Sequence, residues 1–401
     1  MIFMECILDD LLAGVIDYRG KTPTKTDSGV RLVTAKVIKQ GRVMSEGPQE
    51  YIAAKDYDEV MRRGTPQCHD ILITTEAPLG ELALWDSDEQ IALAQRVILL
   101  RPDSEKIDPH YLFYHLRSSY FQDQLHANST GTTVPGIKNP VLRSLLIRYP
   151  VKEQQQIIGK ILAHYDDLIE TNRCRIDLLE ESVRLLYREW FVCLRYPGHE
   201  HEKIVDGLPL GWSRKTVEDM SLLLSRGIAP KYDDAAPGLV INQKCIRDGR
   251  LNLKLARSQS KEVKEDRLVQ LGDVLINSTG AGTLGRVAQV RVAIPDCTVD
   301  THVTIVRPSV ADCAGFLGVA LLEMEQVLST MGVGSTNQLE LGRASIGAMR
   351  LLVPTRGLIR EFHDFVWPIF DQVEILSQAN LRLAQVRDEL LPKFMAGEIR
   401  L

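Results

Sequence analysis

Two long stretches of this chain carry apolar residues at the spacing of a helix that packs along one face. They follow Pro150 and Pro354, and proline is favoured at a helix start, where its missing N–H costs nothing. In the first stretch the gaps mostly alternate between three and four residues, through Ile157, Ile161, Tyr165, Leu168, Ile176, Leu179, Val183, Leu186 and Trp190. In the second stretch the same spacing runs through Ile359, Phe362, Val366, Ile369, Val373, Leu376, Leu383, Val386 and Leu390. The pattern predicts two helices of about 40 residues, each with a coiled-coil seam.

Neither predicted helix is apolar on every side, so each one needs a partner. The other helix is the simplest partner, and the long globular segment between the two favours an antiparallel pairing. The alternative is that each helix packs onto its own domain. Asn172 and Asn380 fall in or beside the seam, where a buried polar residue would fix the register. The positions expected to hold the helix pair or to bind further subunits are Leu168, Asn172, Leu179, Leu186, Val373, Leu376, Asn380, Leu383 and Leu390.

The segments before the two helices show short apolar runs separated by turn residues, which is typical of mixed α/β domains. These segments also repeat. Arg19-Gly20 is matched by Arg226-Gly227, and Asp70-Ile71-Leu72-Ile73 by Asp273-Val274-Leu275-Ile276, about 205 residues further on. We predict a first domain at 1–150, a first long helix at 151–196, a second domain at 197–354 that begins with a short linker, and a second helix with its tail at 355–401.

Composition narrows the class of protein without deciding its function. The 401 residues carry a formal net charge of -5, so the chain lacks the overall basic balance of many nucleic-acid binders, although a local basic patch would suffice. The seven cysteines are scattered and form no Cys-x-x-Cys pair, so neither a zinc site nor a disulfide framework is expected. The sequence shows no secretion leader and no apolar run long enough to span a membrane, which predicts a cytoplasmic protein.

The sequence contains no recognisable catalytic motif. The glycine-rich run from Ser278 to Gly285 lacks the lysine of a phosphate-binding loop, and a turn between strands is the better interpretation. No nucleophile elbow and no His-x-x-x-His or His-Glu-x-x-His cluster occurs, and His199-Glu200-His201 is interpreted as a solvated turn. We therefore expect no catalytic residues, no bound metal and no enzyme activity in this chain.

Three runs of sequence then indicate a family. They are Gly131-Thr132-Thr133-Val134-Pro135-Gly136-Ile137, the helix opening Pro150-Val151-Lys152-Glu153-Gln154-Gln155-Gln156-Ile157-Ile158, and the tail Arg387-Asp388-Glu389-Leu390-Leu391-Pro392-Lys393-Phe394. Together with the internal repeat they resemble the specificity subunits of Type I restriction–modification enzymes over nearly the whole chain. The second copy departs from this pattern, because Gly334-Ser335-Thr336-Asn337-Gln338 replaces the Gly-Thr-Thr-Val-Pro loop and its helix lacks the Glu-Gln-Gln opening.

The resemblance implies an α+β fold with pseudo-two-fold symmetry, in which two long antiparallel coiled-coil helices separate two similar mixed α/β target-recognition domains. Each domain would read one half of a bipartite site in double-stranded DNA. The helix pair would set the spacer and dock modification (methyltransferase) subunits, two of them, and restriction (translocase/nuclease) subunits would then join. The chain itself would hold no cofactor, since S-adenosylmethionine would be bound by the methyltransferase subunits.

The residues expected to contact DNA are basic, amide and hydroxyl side chains around each domain's opening and around the loop before each helix. In the first copy they are Arg19, Lys21, Thr22, Lys25, Lys36, Arg42, Thr132, Thr133 and Lys138. In the second copy they are Arg226, Lys231, Asn242, Lys244, Arg247, Asn277, Arg286, Asn337 and Arg343. The alternative from another class is a two-domain coiled-coil adaptor that binds proteins and never touches DNA.

Overall fold

The computed structural model describes residues 2–18, 23–45, 49–131, 133–334 and 339–399. They form two compact units: Met1–Thr171 together with Asn380–Leu401, and Asn172–Ala379. Each unit therefore contains one of the two sequence copies and a part of both long helices. Among the described residues, no helix combines the length and the apolar character that a membrane crossing would require.

The first unit is built on a four-stranded antiparallel sheet with a second sheet beside it. Its strands are β1 (Met4–Ile7), β2 (Leu12–Asp17), β3 (Lys25–Thr26), β4 (Val30–Val33), β5 (Ile38–Lys39), β6 (Arg42–Val43), β7 (Glu50–Ile52), β8 (Asp70–Thr75), β9 (Leu79–Trp85), β10 (Ile91–Leu93), β11 (Val97–Pro102) and β12 (Leu146–Tyr149). Its helices are α1 (Tyr57–Val60), α2 (Pro109–Arg117), α3 (Ser119–Ala127), α4 (Asn139–Arg143) and the start of α5 (Lys152–Tyr187). The main sheet has the order β2-β11-β8-β9, and the second has the order β10-β4-β7-β3.

The second unit repeats this plan. Its strands are β13 (Ile204–Val205), β14 (Leu208–Pro209), β15 (Ser213–Thr216), β16 (Ser221–Arg226), β17 (Gly238–Ile241), β18 (Ile246–Arg247), β19 (Arg250–Leu251), β20 (Arg257–Gln259), β21 (Val274–Asn277), β22 (Val287–Gln289), β23 (Cys297–Val299), β24 (Val303–Pro308) and β25 (Arg350–Val353). Its helices are α6 (Ala314–Glu323), α7 (Glu325–Thr330), α8 (Arg343–Gly347) and the start of α9 (Arg356–Ala396). The sheet order β16-β24-β21-β22 matches β2-β11-β8-β9, and β23-β17-β20 matches β10-β4-β7, so the predicted repeat is confirmed for these seven strands. The place of β3 is taken by a single bridge between Tyr232 and Gln259.

A buried ion pair recurs at the same place in both main sheets. Asp70 opens β8 and accepts Nε and Nη2 of Arg101 on β11 at 2.9 and 2.7 Å. Asp273, which directly precedes β21, accepts the same two atoms of Arg307 on β24 at 2.9 and 2.9 Å. A backbone N–H three residues upstream also donates to each carboxylate, at 2.7 and 2.8 Å. These bonds satisfy a charge that would otherwise be costly to bury, because a carboxylate leaves water at a large free-energy cost.

The long helices contact each other in antiparallel fashion within each unit. In the first unit, Ile158 and Leu162 of α5 share a core cluster with Leu391 and Phe394 of α9. Asn380 Nδ2 also donates to the carbonyl oxygen of Ile169 at 3.2 Å, as a register-fixing amide would. The alternative that each helix packs only onto its own domain is wrong, because the end of α9 lies in the core of the first copy.

In the second unit, Ile176 of α5 forms a small cluster with Val373 and Leu376 of α9, and Leu179 packs against it. The α5 helix continues as a π-helical turn, Arg188–Val192, whose Trp190 and Phe191 lie in the core of that unit. Phe362 of α9 lies in the same core. Both helices thus contribute to both cores, while a regular knobs-into-holes seam stays a prediction.

Three positions of the predicted seams are wrong, because Ile157, Leu168 and Val386 are exposed. Leu168 is 52% exposed, whereas its neighbour Ile169 is buried. The sequence contains two overlapping apolar stripes, because apolar residues stand side by side at 157–158, 161–162 and 168–169. Spacing alone cannot choose between them, and the domain core selects the stripe that carries Ile158, Leu162 and Ile169. The remaining predicted seam positions are buried or half-buried: Asn172, Leu179, Leu186, Val373, Leu376, Asn380, Leu383 and Leu390.

His115 on α2 supports a pH prediction for the first unit. Its ring is buried, its Nε2 accepts the backbone N–H of Arg148 at 3.4 Å, and burial together with the Arg148 charge lowers its pKa to about 3. An unfolded histidine titrates near 6.5, so below about pH 6 the unfolded chain binds a proton that the folded chain does not. We expect this histidine to lower the free energy of unfolding by about 1.4 kcal/mol per pH unit as pH falls between about 6 and 3.

The measurement is urea unfolding of the wild-type chain and of His115→Gln at several pH values in that window. Carboxylates also titrate there, so the quantity to compare is the difference between the two slopes of unfolding free energy against pH. The variant, which keeps an acceptor but not the titrating ring, should show the shallower slope. Equal slopes would show that His115 is protonated in the folded unit.

Candidate nucleic-acid interface

The first unit carries a polar groove where a loop returns against the β8–β9 turn. The groove has a volume of about 390 Å³ and is lined by Thr75, Glu76, Gln95, Thr130, Val134, Gly136, Ile137 and Lys138. Thr130 and Gly136 exchange backbone hydrogen bonds of 2.8 and 2.9 Å, which close the base of the loop. The backbone N–H of Ile137 donates to the carbonyl oxygen of Thr75 at 3.0 Å and ties the loop to β8.

Glycine is required at the start of this loop. Gly131 has a φ of 103°, and a Cβ at this position would lie 2.5 Å from the carbonyl oxygen of Val134. The Gly-Thr-Thr-Val-Pro run therefore begins with a residue that lets the chain turn sharply, and its hydroxyl and apolar side chains follow at the tip. Around the tip stand the exposed side chains of Gln95 and Lys138 and an Arg96–Glu76 ion pair of 2.7 Å. The groove and its surroundings thus present both hydrogen-bond donors and hydrogen-bond acceptors.

The second unit closes the corresponding loop in the same way with different side chains. Backbone bridges join Val333 and Thr279 to Glu340, as Thr130 and Glu76 are joined to Gly136 in the first unit. Gly334 stands at the loop's start with a φ of 138°, again in a conformation that favours glycine. The side chains around it are new: Thr279 Oγ1 lies 2.6 Å from His302 Nδ1, and Glu340 pairs with Arg226 at 2.9 Å.

The structure places the sequence-predicted contact residues of the first copy unevenly. Arg19, Lys21, Thr22 and Thr132 lie outside the described residues. Lys36, Thr133 and Lys138 are exposed, and Lys25 is partly exposed with its ammonium 2.8 Å from Glu50. Arg42 pairs with Glu170 of α5, so its guanidinium joins the domain to the helix. Lys138 is the predicted residue that lines the groove.

In the second copy, Lys231, Lys244, Arg247 and Arg343 are exposed, and Asn337 lies outside the described residues. The side chains of three other predicted residues make hydrogen bonds to the backbone of nearby loops. Asn242 accepts the N–H of Lys244 at 2.8 Å, Arg226 donates to Leu341 at 2.8 Å, and Arg286 donates to Gly282 at 3.0 Å. These bonds position the loops and leave fewer groups for a ligand.

The prediction for Asn277 is wrong. Its side chain is 0% exposed at the end of β21, and Nδ2 donates to the carbonyl oxygen of Gln243 at 3.0 Å. Asn277 was predicted to contact DNA because amides read base edges, but it ends a strand whose residues are all buried, and its amide is buried with them. Gln95 was missed for the opposite reason, since a lone glutamine in the 94–96 turn gives no signal until the loop folds against it.

Each globular copy is fastened to the long helices by a shared carboxylate. In the first unit, Asp166 of α5 accepts Tyr114 Oη at 2.6 Å and Arg117 Nη1 at 3.1 Å, and it also pairs with Arg387 of α9. In the second unit, Glu180 of α5 accepts Arg250 Nη2 at 2.7 Å and Arg291 Nη1 at 2.9 Å. Burial disfavours ionisation of Glu180, but the two guanidinium groups outweigh it and lower the carboxyl pKa.

Comparison with known proteins gives a consistent result. Residues 19–181 match a family model described as the Type I restriction modification DNA specificity domain. The chain is 24% identical over 343 residues to the Type I restriction enzyme MjaIX specificity subunit of Methanocaldococcus jannaschii, covering 82% of this chain and 77% of that protein. It is 22% identical over 397 residues to the HindI specificity subunit of Haemophilus influenzae, covering 80% and 84%.

A solved structure shares the fold. The S subunit of a Type I restriction–modification system from M. genitalium aligns with a TM-score of 0.61 at 16% identity, over 98% of this chain and 96% of that one. The predicted α+β architecture is therefore confirmed.

The Glu180 anchor yields a stability prediction for the second unit. Glu180→Gln removes the charge that compensates Arg291, whose side chain is only 6% exposed and also stacks 4.0 Å from the Phe370 ring centroid. Breaking a buried pair from one side costs several kcal/mol, so we expect a loss of about 3 kcal/mol in the unfolding free energy of this unit. The matched control is Glu181→Gln at the adjacent exposed position, where a change below about 0.5 kcal/mol is expected. Denaturant unfolding measures both, and similar losses in the two variants would contradict the anchor.

Proposed function

This chain belongs to the specificity subunits of Type I restriction–modification enzymes, and we infer from this that it is the DNA sequence-recognition subunit of such a complex. Each of its two copies would read one half of a bipartite target in double-stranded DNA. The subunit would contribute no catalytic groups, and S-adenosylmethionine would be bound by partner methyltransferase subunits.

The observation that carries this proposal is a repeated frame with divergent loops. The same pair of backbone bridges closes the loop in each unit, at Gly136 and at Glu340, and the main sheets share one strand order. The loop sequences differ at three of four positions, with Thr-Thr-Val-Pro in one copy and Ser-Thr-Asn-Gln in the other. A protein that reads two different half-sites needs this combination, because a constant frame sets the approach to the duplex while variable side chains read base edges.

The side chains at the first loop suit the two kinds of contact that DNA binding needs. Lys138 is exposed at the groove, where its ammonium would neutralise a phosphate. Gln95 offers an amide that can make two hydrogen bonds to one base, most naturally adenine. The formal net charge of -5 does not oppose this proposal, since local groups at the contact surface determine binding.

The long helices favour a second role for the subunit, as the scaffold on which the complex assembles. Because α5 and α9 each run through both units without a break, the number of their residues would fix the length of the unspecified DNA spacer. Their surfaces also expose large apolar side chains, among them Leu168 at 52%, Leu178 at 71% and Ile375 at 60%. Such residues on a helix surface suit the binding of further subunits, here the methyltransferase and then the restriction subunits.

The decisive experiment is co-expression of this chain with the methyltransferase subunit from its own source, in a host that lacks modification, followed by mapping of methylated bases across the genome. We expect one bipartite motif with a fixed spacer. Omission of this chain is the control and should abolish methylation.

Other results would point elsewhere. A one-part or palindromic motif would contradict reading by two different copies. A stable complex that methylates nothing would favour the protein–protein adaptor, which binds partners and leaves DNA alone.

The side chains of the groove should contribute differently to the affinity for DNA and to sequence specificity. Lys138→Ala should weaken DNA binding by the assembled complex about equally for all sequences and reduce the slope of log affinity against log salt by about 1, because one phosphate contact is lost. Lys106→Ala removes the same charge from the turn before α2, where Lys106 pairs with Asp103 at 3.2 Å, and is the matched control. If both variants change the slope equally, the groove makes no phosphate contact.

Gln95→Ala should instead relax the preference at one position of one half-site, with a loss of about 1–3 kcal/mol in discrimination and a nearly unchanged salt slope. Binding measured against a panel of single-base substitutions provides the readout. A uniform loss across the panel would assign Gln95 to the backbone and not to a base.

A further inference from the structure

Three metal-binding side chains meet at one end of the β8–β9 hairpin in the first unit. Cys68 and His69 directly precede β8, and Asp86 directly follows β9. Cys68 Sγ donates to Asp86 Oδ1 at 2.9 Å, and His69 Nε2 lies 3.8 Å from the same oxygen. All three ligand atoms lie within 4.8 Å of one another, and the ring of His110 on α2 stands 5.4 Å from that of His69.

We propose that Cys68, His69 and Asp86 bind a divalent transition-metal ion of the zinc class. Thiolate, imidazole and carboxylate are the ligands of protein zinc sites, with bond lengths of roughly 2.0–2.3 Å. In a tetrahedron those bonds place ligand atoms roughly 3.3–3.8 Å apart, close to the separations seen here. Small side-chain rotations therefore suffice to complete the site, and the thiol proton leaves as the metal binds.

No linear motif indicates this site, because Asp86 is distant along the chain from the adjacent Cys68 and His69. Cys68 and Asp86 are 18 residues apart, and no Cys-x-x-Cys or spaced histidine pair marks them. The antiparallel pairing of Asp70 with Trp85 brings the two ends of the hairpin together. The proposed site therefore replaces the expectation, made from sequence motifs, that this chain binds no metal.

The second copy shows that the fold does not require these residues. The N–H of His69 donates to the carbonyl oxygen of Trp85 at 2.7 Å, and the N–H of Gly272 donates to that of Val290 at 2.8 Å in the equivalent hairpin. This register matches Cys68 with Leu271, His69 with Gly272, and Asp86 with Arg291. None of the three residues in the second copy is a metal ligand.

The backbone at His69 adds a second argument. His69 has a φ of 71°, and the matching Gly272 has a φ of 90°. This left-handed conformation suits glycine and is unfavourable for histidine, so the first copy carries a residue that its local backbone disfavours. A metal bond to the imidazole would compensate for that conformation.

The position of the cluster indicates what the metal would do. It lies at the end of the β8–β9 hairpin opposite to the 76–78 turn, whose Glu76 lines the polar groove. A bound ion would therefore clamp the two strands at a distance from the loop that is proposed to read DNA. Metal binding should raise the stability of the first unit and leave sequence preference unchanged.

The test uses the purified full chain, stripped with a chelator, and Co²⁺ as the probe. Cobalt bound to a thiolate gives a near-ultraviolet charge-transfer band, and Zn²⁺ should displace it. We expect the band in the wild-type chain, together with a Zn²⁺-dependent rise in the unfolding midpoint, since a ligand that binds only the folded state stabilises it.

Two variants and one control make the result specific. Cys68→Ser and His69→Gly should lose the band and the Zn²⁺-dependent rise, whereas Cys174→Ser, at an exposed cysteine outside the cluster, should keep both. His69→Gly also relieves the left-handed backbone, so its metal-free form should unfold at a midpoint no lower than that of the wild type. A wild-type chain without the band, or a band that persists in either cluster variant, would overturn the proposal.

Discussion

The fold depends on the closure of each unit by segments of both long helices, and in the first unit one of these segments comes from the opposite end of the chain. The core of the first unit includes Leu391 and Phe394 from the end of α9, and the core of the second includes Trp190 from the end of α5. The first copy completes its core with residues from the far end of the chain, whereas the second completes its core with the helix segments that flank it. The first unit therefore forms only when almost the whole chain has been made, since its contacts join residues more than 200 positions apart.

Charge then specifies how each domain sits on its helices. Apolar contacts are non-directional, so they bury a helix face without fixing its rotation or register. The carboxylates of Asp166 and Glu180 each accept guanidinium groups from their own unit, and such charge-assisted bonds have strict geometry. Inside the sheets, the Asp70–Arg101 and Asp273–Arg307 pairs play the corresponding part between strands. Buried pairs contribute little net stability but penalise wrong arrangements heavily.

Sequence patterns predicted the architecture well because they reflect periodic burial. The two helices, the repeat and the domain order follow from spacing that local physics imposes. The individual site residues were harder to predict. Leu168 and Ile169 differ by one position in a doubled apolar stripe, and only the folded core distinguishes them. Asn277 was expected to contact DNA but is buried, whereas Gln95 was not predicted and lines the groove. In both cases the outcome depends on which loop packs against the residue. The Cys68 cluster forms through strand pairing, which no linear motif records.

The two copies also show how far side chains can diverge while the frame stays fixed. In the first unit a Cβ on Gly159 of α5 would come within 3.0 Å of the His110 Cβ on α2. In the second unit the sizes are exchanged: Gly315 on α6 faces His363 on α9 and donates its N–H to the imidazole at 3.1 Å. Each copy thus keeps one histidine and one glycine at this contact, on opposite helices, so the same close approach is met by two different arrangements of side chains. The loops that begin at Gly131 and Gly334 diverge further, since little more than the glycine and one threonine recur in their sequences.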